Sequence, residues 1–494
     1  MTKTQIIMLV VMVAYLIFNV VVGMLVAKKK DAASTMSQEK KYFIGSRGMS
    51  GLVLAMTTVA TYTSVSSFIS GPGAAGITYG YSQAWVAAIQ CGAAFLVMGV
   101  LGNKMAVISR RTGAVSIAGY LKARYRSDAV VIFTSLVMVV FFIVQMVAQF
   151  TGGAALVQTV TGLPYVWSLA IFAVVVIGYT SFGGFTAVVI TDTIQGIIMV
   201  IGTFLFLFYV FNACGGMDGI NAGLQANLPT YADLTGVYPA GTLLSYWVLV
   251  GAAVVGLPQT AVRGMGFKNT KSLKSAMVIG TFACTIMMIG MHVAGTWAGA
   301  LLDKSAMPTS DYMVPMIVGQ IMPAGIGGLF MAAPLAAVMS TVSSLLILAS
   351  ATILKDLYKT YVIRDNAEKG RKFDRNFGKL SFGATLLIGL VTMYFSVNPP
   401  DIIFLLNVYA MGGIECAFVW PIVGGVFYRK GNAKAALASA VSGVAMYVFA
   451  QNFLQIAGIN PVVWGLLLGG IVYFAVGAAT CRNGLDREIL ETCF

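Results

Sequence analysis

Three residues in a long apolar stretch have the spacing of an ion site. Ala337, Ser340 and Thr341 fall at positions i, i+3 and i+4, so they share one face of a helix. Two hydroxyls and a carbonyl suit a hard monovalent cation, which prefers oxygen ligands. Ala60 and Thr63 could add two carbonyls from another irregular segment, and five oxygens without a carboxylate favour sodium over calcium. The alternative is a helix-packing seam, whose hydroxyls bond back to carbonyls of the preceding turn.

Two acidic residues lie in apolar segments, where a carboxylate is unfavourable unless it is partnered or hydrated. Asp192 is a functional candidate by this criterion. Its alternative is an interfacial carboxylate bonded to Arg263 or to backbone amides. Glu415 is the second acid, and it either faces a cavity or bonds Asn407.

His292 is the only histidine of the chain. Its imidazole could bind a carboxylate, or it could be a packing group with satisfied hydrogen bonds. The sequence has no Ser/His/Asp order, Walker-type loop, HExxH motif or clustered cysteines. Enzyme catalysis and ATP hydrolysis therefore have no candidate residues, and no organic cofactor is expected. Transport would have to be driven by an ion gradient.

The elements that position these residues are membrane-spanning helices. The chain has 494 residues, of which 58% are hydrophobic and 10% charged, and its mean hydropathy is +0.86. A span needs about 20 apolar residues, so the composition predicts an all-α integral membrane protein. Thirteen apolar runs are candidate spans: 5–27, 50–76, 81–103, 128–150, 165–182, 187–211, 241–261, 276–302, 325–350, 380–397, 401–428, 434–453 and 460–480.

The basic residues predict the orientation. With the N-terminus outside, 29 of the 31 Lys and Arg fall in inside segments, and only Lys3 and Lys304 are outside. The loop 212–241 has no basic residue, whereas 355–379 has eight. We therefore expect a cytoplasmic C-terminus and a bacterial-type plasma membrane. Because the basic residues lie between spans, the net charge of +14 does not indicate nucleic-acid binding.

The order of the spans predicts an inverted repeat. Spans 2–6 begin inside and spans 7–11 begin outside, and the first span of each block is interrupted, by 61–67 with 71–73 and by Gly251 with 256–259. Interrupted helices place transporter sites near the midplane, although Gly and Pro are also common in membrane helices. The predicted organisation is a first helix and cytoplasmic loop (1–49), a first repeat (50–211), an external loop and second repeat (212–428), and two extra helices with a short cytoplasmic tail (429–494).

At these residues the sequence resembles the sodium/solute symporter family, from 42–47 to about Arg429. The most specific segments are 66–75, 183–195, 256–263, 290–292, 336–341, 350–352 and 355–358. The resemblance implies a LeuT-like core of 5+5 helices in an inverted repeat, formed by spans 2–11, and transport by alternating access.

The resemblance also implies roles for single residues. One sodium site would use the carbonyls of Ala60, Thr63 and Ala337 and the hydroxyls of Ser340 and Thr341, the set inferred above. Asp192 would lie on the inner sodium release path. Tyr62 departs from many members of the family, which carry an acidic or amide residue there, so a direct ion role at that position is in doubt.

The family's solute pocket lies between the interrupted spans. Carried over by position, it would include Ser64 or Ser67, Gln90, Gly251, Val254 and Pro258. The smooth apolar run 251–255 argues against a sugar stacked on a ring and suits the dimethyl group of pantothenate. Ser67, Gln90, Gln259 or His292 could meet the hydroxyls and carboxylate of that solute.

We therefore expect sodium-coupled symport of a small organic anion, with pantothenate as the expected solute. Proline, another monocarboxylate or a sugar acid are alternative solutes. A membrane sensor that binds solute without moving it is an alternative of another class. Sodium is the expected coupling ion and the lipid bilayer the expected surroundings, with neither nucleic acid nor an obligate protein partner.

Overall fold

The chain folds as a bundle of helices. The computed structural model describes residues 2–32, 48–233, 235–302, 309–364, 366–398, 403–454, 456, 458–481 and 486–494, so the segment 42–47 and Lys304 lie outside it. Its main helices, several with short π or 3-10 stretches, are α1 (Lys3–Ala32), α2 (Gly51–Tyr62), α3 (Ser66–Tyr79), α4 (Ser82–Thr112), α5 (Ile117–Tyr125), α6 (Asp128–Thr161), α7 (Tyr165–Ala213), α8 (Met217–Asn227), α9 (Ala240–Gly256), α10 (Pro258–Met265), α11 (Thr270–Leu301), α12 (Met313–Ile321), α13 (Ala324–Ile363), α14 (Ala367–Phe395), α15 (Ile403–Phe427), α16 (Ala433–Phe453), α17 (Pro461–Thr480) and α18 (Arg487–Cys493).

The lengths of the helices match the predicted spans. Ten helices of the described chain are long and apolar enough to cross a membrane, and two bent pairs raise the number to twelve. The pairs are α2 with α3, bent by 74°, and α9 with α10, bent by 48°. A shorter apolar helix, Tyr165–Ser181, corresponds to the remaining predicted span. Both predicted interruptions are therefore present as bends.

All 49 residues of α7 are helical, but they form two spans, Tyr165–Ser181 and Phe185–Ala213, and the two ends of α7 lie on one side of the bundle. The Tyr165 hydroxyl donates to the Ser396 carbonyl, and the Phe211 ring packs against Trp297. A straight helix of this length would extend about 74 Å, so the chain reverses between these ends, as two separate spans require. We call this side the Trp297 face, defined by Trp297, Tyr81, Tyr312 and Ser396.

The opposite side of the bundle carries exposed ion pairs. We call it the Arg126 face, since Arg126 bonds Asp486 and Glu488 there, next to α18. Lys122 pairs with Asp128 at the start of α6 on the same side. Lys122, Arg124 and Arg126 belong to one of the basic segments of the sequence, so this is the face that the charge distribution predicts to be cytoplasmic.

The centre of the bundle is α13. Of its most apolar window 94% is buried, more than in any other described span. Its Gly, Ala and Ser residues let neighbouring backbones approach closely, and α1, α6, α7 and α14 pack around it. Residues of α13 that face α2 are therefore removed from both water and lipid.

Candidate functional site

The bend between α2 and α3 frees backbone carbonyls near the centre of the bundle. Successive N–H groups after Ser64 find partners outside the helical pattern. The Val65 N–H donates to Gln149 Oε1 at 3.0 Å, and the Ser67 N–H donates to the Ser64 carbonyl at 3.0 Å. Carbonyls of residues 61–63 consequently lose the donors that a continuous helix would supply.

All five oxygens predicted for the sodium site converge at this bend. Ser340 Oγ lies 2.7 Å from the Ala60 carbonyl and 3.0 Å from that of Ala337. Thr341 Oγ1 lies 3.1 Å from the Thr63 carbonyl and 3.0 Å from that of Ala337. All five residues are buried. We call these residues the neutral cluster.

The neutral cluster also tests the packing-seam alternative. Both hydroxyls bond back to the Ala337 carbonyl, three or four residues earlier on the same helix, as a seam would have it. Their contacts with Ala60 and Thr63 cross to another helix, at the position where that helix has lost its own hydrogen bonds. A hydroxyl oxygen can turn its lone pairs toward a cation and its proton away, so the arrangement fits a bare monovalent cation.

Asp192 lies in a second group of polar side chains. Its Oδ2 accepts from Arg263 Nη2 at 2.9 Å and from Thr57 Oγ1 at 3.0 Å, and Thr61 and Ser344 complete the group. Arg263 also bonds Thr61 directly. Asp192 and Arg263 are fully buried, and the carboxylate bonds Arg263, as one of the alternatives for Asp192 had it. We call these five residues the charged cluster.

The charged cluster ties four helices together. Thr57 and Thr61 come from α2, Asp192 from α7, Arg263 from α10, and Ser344 from α13. The charged cluster lies directly beside the neutral cluster, because Thr61 of one follows Ala60 of the other in the chain. The other oxygen of Asp192, Oδ1, has no hydrogen-bond partner among the described residues. Any opening of the bundle between α2 and α10 must separate this group.

Glu415 does not bond Asn407, one of the two roles considered for it. Asn407 Oδ1 accepts from Gln149 Nε2 at 3.2 Å, and its Nδ2 points to Met411 Sδ at 3.6 Å. Gln149 also accepts the hydrogen bond from the Val65 N–H. The Asn407 side chain is therefore linked through Gln149 to the bend between α2 and α3. Glu415 is fully buried.

A small cavity of about 30 Å³ lies beside the bend. Four of the residues predicted for solute binding line it: Ser64, Ser67, Gln90 and His292. The His292 Nδ1 lies 2.7 Å from the Met288 carbonyl, so this nitrogen donates and Nε2 is left for another partner. The remaining lining residues are Tyr62, Ser66, Gln83, Val86, Val250, Phe404, Asn407, Val408 and Met411.

The other four predicted solute residues lie outside this lining. Gly251 packs so closely on Ile89 that a Cβ at position 251 would collide with it. Val254 lines a still smaller cavity of about 10 Å³ next to Tyr62. Pro258 and Gln259 are buried in the first turn of α10, where the Gln259 carbonyl accepts from Arg263.

Two polar residues of the cavity were not singled out by the sequence. Gln83 receives a hydrogen bond from the Tyr238 hydroxyl at 2.6 Å, and its own Nε2 has no partner in the described chain. The Ser66 hydroxyl has no hydrogen-bond partner among the residues that the structure describes. Ser66 could have been predicted from its place between Ser64 and Ser67. Gln83 follows the tight turn at Gly80, and no local sequence pattern marks it as a cavity residue. These free polar groups add to the donors and acceptors that a polar solute could use.

Comparison with known proteins identifies the family. The model of the sodium:solute symporter family matches residues 42–443. This chain belongs to the sodium:solute symporter family. As a family member it is a sodium-coupled symporter of a small solute and not an enzyme, and its coupling ion is sodium.

Relatives with reported names match over nearly the whole chain. The sodium/pantothenate symporter of Escherichia coli is 40% identical over 488 residues, which cover 97% of this chain and 98% of that protein. A sodium/proline symporter of Staphylococcus aureus is 28% identical and covers 93% of this chain and 90% of that protein.

Among solved structures, a sodium-coupled sialic acid symporter in a substrate-bound outward-open state aligns with a TM-score of 0.76. It is 19% identical, with 96% of this chain and 98% of that chain covered. At this identity the likeness shows the fold alone, and it confirms the predicted all-helical, LeuT-like architecture.

Proposed function

We propose that this symporter imports a small organic anion, pantothenate, by alternating access. The observation that carries the proposal is the difference between relatives. The sodium/pantothenate symporter is 40% identical over almost the full chain, whereas the sodium/proline symporter is 28% identical. The cavity supports the same choice, because it combines hydroxyl, amide and imidazole groups with an apolar side formed by Val86, Val250 and Val408.

The neutral cluster is the proposed sodium site. Sodium held by Ala60, Thr63, Ala337, Ser340 and Thr341 would join the end of α2 to α13. Thr63 is adjacent to Ser64, which lines the cavity, so an ion there would stabilise the bend in the form that the solute contacts. Each ligand would then raise the affinity for the other by the same factor.

The cavity, widened when the bundle opens, is the proposed solute site, with contacts from Ser64, Ser67, Gln90 and His292. The described lining contains no Lys or Arg to pair with a carboxylate. The N-terminal end of α3 faces the bend, and the positive end of a broken helix attracts an anionic group. Sodium in the neutral cluster would add a full positive charge nearby. Gly251, Val254, Pro258 and Gln259 stay predictions for a conformation in which α9 and α10 have moved.

The charged cluster is the proposed inner barrier of the transport path. Asp192 would draw sodium from the neutral cluster when the Arg263 pair separates.

We propose that the Arg126 face is cytoplasmic and the Trp297 face external, which puts the N-terminus outside. Residues 50–211 and 212–428 are the two proposed repeats, between the N-terminal segment 1–49 and the extra helices of 429–494. The preference of Lys and Arg for inside segments supports this orientation.

Uptake into proteoliposomes tests the proposal. Purified protein is reconstituted, and radiolabelled pantothenate is added with an inward sodium gradient, or with the same gradient of potassium as the control. We expect accumulation above equilibrium only with sodium. Unlabelled pantothenate should compete with the label, whereas unlabelled proline, lactate or gluconate should not.

The outcomes separate the alternatives. Sodium-dependent uptake that unlabelled pantothenate does not reduce would overturn the solute and keep the coupling. Uptake of pantothenate that is equal in sodium and potassium would overturn the coupling. Binding of pantothenate without uptake of any tested solute would favour the sensor.

A further inference from the structure

Glu415 is a buried acid for which sodium-coupled transport has no use. Its side chain is fully buried in α15, and neither carboxyl oxygen has a hydrogen-bond partner among the described residues. An ionised carboxylate in such a place is strongly unfavourable, because nothing replaces the water it has lost. The Glu415 carboxyl must therefore be uncharged in this conformation.

The position of Glu415 links it to a part of the bundle that must move. Met411, one turn earlier, lines the solute cavity together with Val250 of α9. Val419, one turn later, packs against Gly256 at the end of α9. The two helices thus run side by side, and Glu415 stands level with the last turn of α9, between the cavity and the bend to α10.

The neighbours of Glu415 offer no compensating charge. The titratable groups that interact with it are Tyr62 of α2, Tyr447 of α16 and Cys416 of its own helix. The Tyr62 hydroxyl donates to a backbone carbonyl of α9, and the Tyr447 hydroxyl donates to one of α15. The Cys416 thiol points to a backbone carbonyl of α17.

Charged residues on the helices around Glu415 either bond other residues or lie many residues along the helix from the part that packs near Glu415. The helices α9 and α17 contain no Asp, Glu, Lys or Arg, α6 has only Asp128, at its first position, and α16 has only Lys434, at its second position. Arg263 of α10 bonds Asp192. His292 of α11 lines the same cavity and is the other titratable group that a pH experiment must separate from Glu415.

We propose that Glu415 is a proton-binding site that loads and releases one proton in each transport cycle, so that the proton is a second coupling cation. With the bundle closed, the carboxyl keeps its proton. When α9 and α10 open and water reaches Glu415, its O–H bond breaks, the proton passes to water as hydronium, and the hydrated carboxylate remains. Protonation from water on the other side of the membrane completes the cycle.

A proton fits this position better than a second sodium ion. Sodium needs several converging oxygens, as in the neutral cluster. Glu415 offers one carboxyl group, next to a thiol and to two hydroxyls that are already committed as donors. A proton needs no ligand beyond the carboxyl oxygen itself.

The first test measures proton movement by the wild-type protein. Proteoliposomes with a pH-sensitive dye inside receive an inward sodium gradient, and potassium with valinomycin holds the voltage. Addition of pantothenate should change the lumenal pH, and the same addition in potassium without sodium should not. Sodium-driven uptake of labelled pantothenate with no change in lumenal pH would overturn the proposal.

The second test uses Glu415→Gln, which keeps the shape of the protonated acid and cannot release a proton. We expect this variant to lose the proton movement, and the sodium-driven uptake that remains to be independent of lumenal pH. In the wild type the uptake rate should vary with lumenal pH by up to about tenfold per pH unit, the limit for one titrating group, and in Glu415→Gln it should be flat. An unchanged pH profile in Glu415→Gln would contradict the proposal.

Two control variants make the result specific. Cys416→Ala alters the neighbouring buried residue and should keep both uptake and proton movement. His292→Gln removes the only imidazole and should keep the pH profile whatever it does to solute affinity. If Glu415→Gln does not fold, the wild-type dye measurement still decides.

The inference rests on the proposed function only in using pantothenate as the probe. Absence of sodium-driven pantothenate uptake overturns the proposed function, and the dye experiment is then done with the solute that sodium does drive. Sodium-driven uptake without proton movement overturns the Glu415 proposal alone.

Discussion

Two polar clusters lie next to each other in the centre of this protein, and they are satisfied in opposite ways. The neutral cluster gathers five oxygens and no positive charge, whereas the charged cluster already contains the guanidinium of Arg263 next to Asp192. Both draw on α2 and α13. The difference comes from α7 and α10, which supply an acid and a base to one cluster only.

In the proposed mechanism, one bundle holds an ion loosely and a barrier firmly. A buried carboxylate must have its countercharge inside the protein, so the charged cluster stays closed without any ligand. Neutral oxygens have no such need, so the neutral cluster can stay empty and would accept a cation from outside. Ion binding and barrier opening can thus be coupled through Ala60 and Thr61, which are consecutive on α2.

The largest expected effect follows from emptying the neutral cluster. Ser340→Ala with Thr341→Ala removes two of its five oxygens, each contact with an ion being worth about 1.5–3 kcal/mol. The sodium concentration for half-maximal uptake should rise at least about a hundredfold. Sodium titrations of pantothenate uptake in proteoliposomes measure it.

The matched control for that double variant is Ser350→Ala on the same helix. The Ser350 hydroxyl is buried and bonds only back to the Ile347 carbonyl at 3.0 Å. Sodium dependence should stay as in the wild type. An unchanged sodium titration in the double variant would remove the neutral cluster as the ion site.

The next effect follows from unbalancing the charged cluster. Arg263→Met leaves Asp192 buried and unpaired, which should cost about 3–5 kcal/mol of stability. Adding Asp192→Asn to Arg263→Met should restore much of the loss, because the lone charge is then removed. Thermal unfolding of the purified protein in detergent measures all three variants.

A surface arginine supplies the control for this cycle. Arg126→Met breaks exposed ion pairs with Asp486 and Glu488 and should lower the unfolding temperature far less. If Arg263→Met is as stable as Arg126→Met, the charged cluster does not hold the bundle closed. If the second substitution fails to rescue the first, the loss comes from packing of the long arginine side chain and not from its charge.

The contrast between the clusters also shows what the sequence could predict. The neutral cluster could be read from spacing, since i, i+3 and i+4 on one helix and a polar interruption on another are local signals. The pair of Asp192 and Arg263 spans 71 positions, and Arg263 could be named only as one alternative partner. Arg263 can reach Asp192 because the chain bends at Leu257. The extended backbone of Leu257 (φ −72°, ψ 117°) turns α10 toward α7.

The solute cavity could be predicted only in part, for a related reason. Ser64, Ser67, Gln90 and His292 line it, but Gly251 faces Ile89. The last turns of α9 are a π stretch (Val248–Ala252) followed by a 3-10 stretch (Ala253–Gly256). Side chains there do not follow the period of an α-helix, so position alone could not tell which of them face the solute.

A smaller effect is expected from the cavity, which belongs to neither cluster. His292→Gln keeps a polar group but loses the imidazole Nε2. Its half-saturating pantothenate concentration should rise by up to about tenfold, the value of one neutral hydrogen bond, and its sodium titration should be unchanged. Thr296→Ala is the control, because that buried hydroxyl only bonds back to the His292 carbonyl at 3.0 Å. Equal solute affinity in His292→Gln and the wild type would remove His292 from the solute site.

The smallest effect is expected from an ion pair in water. Asp128 is exposed on the Arg126 face, where it forms an ion pair with Lys122. An exposed ion pair adds little to stability, because water and salt screen it. Asp128→Asn should therefore leave the unfolding temperature of the purified protein nearly unchanged. A loss as large as that of Arg263→Met would mean that burial is not what separates the charged cluster from the surface pairs.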